Sequence, residues 1–333
     1  MKQSPSSHLS FPKGWFRIAY SNEIPPKTVK SLHYFGQDLV LFRTEKGIVR
    51  VFDAHCPHLG AHLGYGGIVK SETIQCPFHG WCFNDSGNCT QIPYTSKIPP
   101  KAQIRTWPIR EVNGLILIYY HSQGHPPDWE IPELPEILDK NWTPLSPVIR
   151  REISTYTQEV GEGSIVDTAH FGHLHPHTFR EVKGESLIVS YPTLTYKMYP
   201  EYNLYGVTKI LGVEGKTSLD FTSYGLGCLV VRNFSKTKLK TLTMFLLTPI
   251  NENSIDFHFL ISIKQVLNKP ITALFKKFVK YSATKALKED MDIWENKIFR
   301  AHPLLCDGDG PIAQYRRWAS QFYTDLSMTE TRV

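Results

Sequence analysis

The sequence predicts an α+β protein: an antiparallel β domain first, then a second domain with its own antiparallel sheet and long C-terminal helices. Three observations predict it. Residues 14–122 break into short apolar runs separated by Gly and Pro, the pattern of a small antiparallel β domain. Residues 123–149 carry four prolines between Pro126 and Pro135 and read as an extended linker. Beyond residue 150 strand patterns continue until Pro270, where an apolar period near 3.6 begins.

Residues 1–13 are a polar tail containing Ser and Pro. In the first domain, 14–122, strands are predicted at Trp15–Tyr20, Leu39–Arg43, Ile48–Phe52, Thr73–Cys76 and Leu115–Tyr120. The second domain, 150–333, opens with a strand at Glu152–Tyr156. Further strands are predicted at Leu187–Tyr191, Thr195–Met198, Leu229–Asn233, Thr241–Thr248 and Ser254–Ile263. A long helix is predicted from Pro270 to about Arg300, with Leu274, Phe278, Tyr281, Leu287, Ile293 and Trp294 among its apolar positions. A last helix, Pro311–Tyr323, has proline in its first turn.

The 333 residues suffice for two domains with sizeable cores. Hydrophobic residues at 41% and charged residues at 20% exclude a disordered chain. Aromatic residues at 12% favour β structure and a large apolar pocket. The net charge of +6 is spread out, its densest run being Lys276, Lys277, Lys280 and Lys285. With no nucleic-acid-binding motif beside it, this charge suits a solvated helix face or a docking face for an acidic redox partner. No secretory signal precedes the six cysteines, and no run approaches the roughly 18 apolar residues of a membrane span. A cytoplasmic, reducing compartment is expected, with the cysteines as metal ligands or free thiols.

The chemistry begins in two loops. Cys56-Pro57-His58-Leu59-Gly60 is followed by Cys76-Pro77-Phe78-His79-Gly80, with seventeen residues between His58 and Cys76. Two thiolates on one iron and two neutral imidazoles on the other make a [2Fe–2S] cluster of the Rieske type, so each loop should give one Cys and one His. Gly60 and Gly80 should let the backbone turn closely and aim N–H groups at the sulfurs. Two Cys and two His are also a zinc set, but zinc sites usually pair Cys with Cys and His with His.

A second cluster lies in Asp167-Thr-Ala-His170-Phe-Gly-His173-Leu-His175-Pro-His177, with four histidines in eight positions. Two histidines and one carboxylate form the facial triad of non-haem Fe(II) oxygenases, which leaves coordination positions open for O₂. Helical spacing pairs His170 with His173. His170 with His175 needs a distorted turn, which Pro176 permits. Spacing alone leaves both pairs open.

The chain resembles the Rieske oxygenases. The second loop, Cys76-Pro-Phe-His79-Gly-Trp81-Cys-Phe83, is similar to the Cys-Pro-x-His-Gly-Trp-x-Phe of ring-hydroxylating enzymes. Respiratory Rieske proteins carry an additional disulfide. Here Ala61 and Gly80 stand near those positions, and Cys82 and Cys89 read as free, partly buried thiols. Asp167-x-x-His170-x-x-x-x-His175 resembles the catalytic motif of the same family. The resemblance implies that His170 and His175 bind a mononuclear iron. It also implies that Asp167 bridges by hydrogen bonds to the Rieske histidine of a neighbouring subunit in a homotrimer. Many relatives have Asn three or four residues before this Asp, where this chain has Ser164 and Gly163. His173 and His177 then fall to supporting or surface roles. The family takes its carboxylate from the C-terminal helix. Asp290 matches, preceded by Glu289 and followed by Glu295, with Asp292 the runner-up. Glu289 and Asp292 otherwise suit exposed helix charges.

Ile293-Trp294-Glu295-Asn296-Lys297, His302-Pro303-Leu304-Leu305, Asp309-Gly310-Pro311 and Arg316-Arg317-Trp318 resemble two related groups. These are the oxygenase components of 3-ketosteroid 9α-hydroxylases and the cholesterol 7-desaturases called Neverland proteins. The resemblance implies a helix-grip, START-like catalytic domain. The implied activity is O₂-dependent hydroxylation or desaturation of a hydrophobic, steroid-like substrate. Electrons would come from NAD(P)H through a separate ferredoxin or flavin reductase. The animal desaturases carry an N-terminal membrane segment, which this sequence lacks, so a soluble enzyme of the bacterial kind is expected. Strands Tyr202–Val207, Leu219–Tyr224 and Met244–Leu247 are expected to supply the pocket. The rival enzyme readings are an aromatic-ring monooxygenase and an O- or N-dealkylase; the rival from another class is a Rieske electron carrier.

Overall fold

The computed structural model describes residues 11–202, 217–234, 239–266 and 268–323. The chain divides into two compact units, one of Gly14–Pro132 with Ile250–Glu252, the other of the remaining residues. Every strand pair with a defined register is antiparallel, and among the described residues no helix is long and apolar enough to cross a membrane.

The first unit holds ten strands in three sheets. They are β1 (Gly14–Tyr20), β2 (Val29–Tyr34), β3 (Gln37–Arg43), β4 (Val49–Asp53), β5 (Ile68–Lys70), β6 (Thr73–Gln75), β7 (Cys82–Phe83), β8 (Cys89–Gln91), β9 (Ile109–Val112) and β10 (Leu115–Tyr120). The sheet orders are β1-β10-β9, β2-β3-β4 and β5-β6-β7-β8. The sequence pattern missed β2, whose residues Val-Lys-Ser-Leu-His-Tyr bury only Tyr34 fully. The core beneath the metal loops is apolar: Phe42 and Phe52 meet edge to face at 5.1 Å, with Leu63 and Phe83 completely buried nearby. Each such side chain contributes about 1.5–3 kcal/mol relative to exposure. The stretch read as a linker is not loose. Trp129 and Ile131 are buried in this unit, and the Trp15 indole donates to the Trp129 carbonyl at 2.7 Å.

The second unit begins with α1 (Pro135–Leu138) and is built on one eight-stranded sheet. Its strands are β11 (Ser146–Ile153), β12 (Phe179–Gly184), β13 (Ile188–Ser190), β14 (Thr193–Tyr202), β15 (Leu219–Tyr224), β16 (Cys228–Phe234), β17 (Lys240–Asn251) and β18 (Ser254–Ile263). Their order is β11-β18-β17-β16-β15-β14-β12, with β13 paired to β14. The strand expected at Glu152–Tyr156 instead starts at Ser146 and contains Pro147. Proline argues against a strand, but β11 is a sheet edge and its register shifts at Pro147/Ile149, where a missing N–H costs little.

The helices pack on this sheet. Between β11 and β12 run α2 (Thr157–Gly161), a single π turn (Glu162–Val166) and α3 (Ala169–Leu174). Near the C-terminus lie α4 (Lys269–Asn296) and α5 (Ile312–Ser320). The side chain of Asn268 caps α4 by accepting the Ile271 N–H at 3.1 Å, and Pro270 sits in its first turn. Phe275, Leu287, Met291 and Trp294 anchor α4 on the buried side.

Candidate metal centres

The two cysteine loops of the first unit are built alike. The Cys56 N–H donates to the Ala61 carbonyl at 2.9 Å, and the Cys76 N–H to the Trp81 carbonyl at 2.8 Å. Inside each loop the glycine N–H returns to the cysteine carbonyl, Gly60 to Cys56 at 2.9 Å and Gly80 to Cys76 at 3.1 Å. Those two N–H groups therefore close the turns; the expectation that they point at sulfur is corrected. Both glycines do adopt positive φ, 75° and 74°, which only glycine takes readily.

The loops bring together the residues expected to act together. Cys56 and Cys76 are 2% and 3% exposed. Burial pushes the Cys56 thiol up to about 12; the His58 N–H opposes this rise and the adjacent Cys76 adds to it. Buried sulfurs held this way become thiolates only when a cation joins them. The His58 and His79 rings meet edge to face at 4.6 Å, and Nδ1 of His79 is buried without any hydrogen-bond partner. Two close sulfurs, two close imidazoles and one orphaned ring nitrogen fit a [2Fe–2S] centre. Trp81 stacks on His58 at 4.6 Å and donates its indole N–H to the Tyr94 hydroxyl at 2.8 Å, fixing the imidazole plane. Cys82 and Cys89 are free and buried, not partly exposed.

In the second unit, α3 ends at His175, whose φ of −116° and ψ of 46° leave the helix as a His170/His175 pair requires. The π turn ends at Asp167, whose φ of −76° and ψ of 92° break the helix before α3 restarts. His175 then closes α3, its N–H donating to the Phe171 carbonyl at 3.1 Å. His170, His175 and Asp290 present ligand atoms within 4.8 Å of one another. The two Nε2 atoms converge on Asp290 Oδ1, at 3.8 Å from His170 and 2.9 Å from His175. His173 and Asp292 are exposed and point elsewhere, while His177 reaches the cavity wall described below.

Two further carboxylates complete the site. Glu289 Oε2 lies 2.7 Å from Nδ1 of His175. Sequence reading placed Glu289 on the exposed helix face; the geometry turns it inward, and its adjacency to Asp290 was the only available signal. Asp167 lies 3.4 Å from Nδ1 of His170 without the alignment of a hydrogen bond, and its other oxygen accepts the His170 backbone N–H at 3.3 Å. Burial lowers the His175 imidazole, but Asp290 and Glu289 outweigh it and leave the group raised. Three carboxylates around two histidines form a place suited to a cation.

Local packing explains the glycines. A Cβ on Gly163 would stand 2.9 Å from the Trp294 indole nitrogen, so packing keeps this position small. Gly310, at φ 79°, brings its loop so close that a Cβ would lie 2.3 Å from the Val166 carbonyl, immediately before Asp167.

A cavity of about 470 Å³ opens on His170, His175 and Asp290. One wall is α4, through Phe278, Val279, Ser282, Ala283, Ala286 and Leu287. The other is the sheet, through Leu219, Phe221, Val231, Phe245 and Phe259 with Asn233 and three threonines. Of the strands expected to supply the pocket, β15 does so. In the predicted Met244–Leu247 only Phe245 lines the cavity: Met244 and Leu246 face the other side of the strand, and Leu247, on the same face as Phe245, lies beyond the lining. Of Tyr202–Val207, Tyr202 lines the cavity and residues 203–207 lie outside the described residues.

Residues 118–323 match the family model described as the 3-ketosteroid 9alpha-hydroxylase C-terminal domain, and residues 14–108 match the Rieske [2Fe-2S] domain. Cholesterol 7-desaturase nvd 1 of Ciona intestinalis is 34% identical, covering 95% of this chain and 70% of that protein. A probable 3-ketosteroid-9-alpha-monooxygenase oxygenase component of Rhodococcus rhodochrous is 30% identical, covering 95% and 81%. The crystal structure of dicamba monooxygenase bound to dicamba shares the fold, with a TM-score of 0.76 at 18% identity over 95% of this chain and 98% of that one.

Proposed function

Because this chain belongs to the Rieske oxygenases, in the branch containing the 3-ketosteroid 9α-hydroxylase oxygenase components and the cholesterol 7-desaturases, we propose that it oxidises a steroid-like substrate at an unactivated C–H bond, by hydroxylation or desaturation. The carrying observation is the long apolar cavity opening on His170, His175 and Asp290. Its helical wall from Phe278 to Asp290 extends about 18 Å at 1.5 Å per residue, long enough for a fused-ring skeleton.

Cys56, His58, Cys76 and His79 would hold the cluster, and His170, His175 and Asp290 would hold the mononuclear iron. When bound, the two centres supply electron storage and O₂ activation, with reducing equivalents from a separate NAD(P)H-dependent ferredoxin or flavin reductase. Glu289 fixes the His175 ring so that its Nε2 faces Asp290, where a metal would be held. Asp167 holds His170 while keeping 32% of its side chain exposed. That exposure suits a bridge to the Rieske histidine of a neighbouring subunit, as a homotrimer requires. The apolar wall keeps bulk water from the reacting carbon. The thiol ligands Cys56 and Cys76 suit a reducing, cytoplasmic setting.

The test is a product screen with a Rieske reductase, NAD(P)H and O₂. A steroid panel should give oxidised or desaturated products, and aromatic and alkaloid-like panels should not. Turnover confined to the aromatic or dealkylation substrates would overturn the assignment.

A further inference from the structure

The cavity wall is not uniformly apolar. Among its lining atoms, Oδ1 of Asn233 and Oγ1 of Thr217 are buried and have no hydrogen-bond partner. Thr217 is 8% exposed. Buried polar atoms without partners are rare in folded proteins and call for a ligand or water.

Their placement follows from the sheet register. Asn233 lies between Leu219 on β15 and Thr241 on β17, and all three face the cavity. Its neighbour Arg232 faces the other way and pairs with Glu136, so the alternation of β16 turns the amide inward. Thr217 extends the ladder of β15 by one step, its N–H reaching the Pro200 carbonyl at 3.4 Å. It is therefore the diagonal neighbour of Asn233, with their Cβ atoms about 7 Å apart. One oxygen atom can bridge such a gap, donating its proton to one partner and accepting from the other. The Tyr202 phenol shares this wall and is influenced by the Thr217 hydroxyl, but is not aligned to satisfy it.

We infer that Asn233 and Thr217 form a recognition point for an alcohol hydroxyl on the substrate. The Asn233 oxygen only accepts, so it needs a donor; the Thr217 hydroxyl can donate to the same group. An alcohol offers both functions, whereas a ketone offers only an acceptor. The preferred substrate is then a hydroxysteroid and not a ketosteroid, and the hydroxyl contact sets how the rigid skeleton lies against the metal site. This inference rests on the steroid reading above.

The experiment is equilibrium dialysis of the purified, metal-loaded chain against androstan-3β-ol, androstan-3-one and androstane, which share one skeleton. The alcohol should bind at least about tenfold tighter than the ketone, the effect of one net hydrogen bond. Asn233→Leu and Thr217→Val should each remove that preference while still binding androstane, which also shows that the variants fold. Equal binding of alcohol and ketone, or a preference that survives Asn233→Leu, would overturn the inference and leave the steroid reading standing. If none of the three binds while an aromatic or alkaloid-like probe does, the steroid reading fails and this inference with it.

Discussion

Glu289 holds Nδ1 of His175 at 2.7 Å from a position directly before Asp290 on the same helix. A carboxylate behind a ligating histidine fixes its tautomer and typically contributes 10–100-fold to metal affinity. Glu289→Ala should release mononuclear iron to a ferrous chelator roughly 10–100 times more readily, with the Rieske absorption unchanged. Glu289→Gln, whose amide oxygen can still accept the Nδ1 proton, should recover much of the loss. Equal iron retention in all three proteins would remove Glu289 from the site.

Asp290→Ala takes away the atom on which both histidines converge. The variant should carry about two irons per chain instead of about three, keep its cluster spectrum and lose turnover. Full activity, or loss of the cluster, would contradict the assignment.

Asp167 lies beside His170 but is not needed to bind iron in this arrangement. Asp167→Ala should keep both its iron content and the rate at which reductase reduces the cluster. Product formation should fall by about a hundredfold, the scale set by small misplacement of reacting partners. A parallel fall in iron content would make the role structural.

Gly310→Ala tests the loop that presses on the Val166 carbonyl. Left-handed backbone at a non-glycine residue costs about 1–3 kcal/mol, and the added Cβ also collides. The catalytic unit should melt earlier and retain less mononuclear iron, while the cluster absorption persists. An unchanged Tm would show that the loop yields freely.

Glu136 accepts from Arg232 at 2.5 and 3.3 Å, joining α1 to β16 with both side chains largely buried. Burial raises the Glu136 carboxyl, but the arginine outweighs it and holds the group below its ordinary 4.5. Because the folded value is depressed, this contribution is full above 4.5 and is lost as pH falls through the lower, folded value. Glu136→Gln should cost about 3 kcal/mol in urea unfolding at neutral pH, and the gap to wild type should shrink in acid. A constant gap across that range would sink the linkage.

The cluster loops were fully legible in the sequence because all four donors lie within two short, punctuated segments. His170 and His175 could be paired only by resemblance, since their spacing requires the helix to end at His175, an end that Pro176 permits but does not dictate. Asp290 is 115 residues from His175, and only folding shows that Glu289 and Asp290 face inward while Asp292 does not. The inward amide of Asn233 was not legible at all. Strand alternation gives a residue's face only after the neighbours and register of the strand are known. The early start of β11 was not legible either: Pro147 is tolerated in it because the strand lies at a sheet edge, which only the topology shows.

Helix α4 supplies the carboxylate, the brace for His175 and one whole side of the cavity. Substrate shape and metal geometry are thus carried on a single rigid rod. Any substitution that shifts this helix to suit a larger or smaller molecule also moves the metal site. The opposite wall has no such constraint, because each strand residue can be exchanged singly. A change of substrate range is therefore expected to come from substitutions on the sheet, with the helix held fixed as the reference.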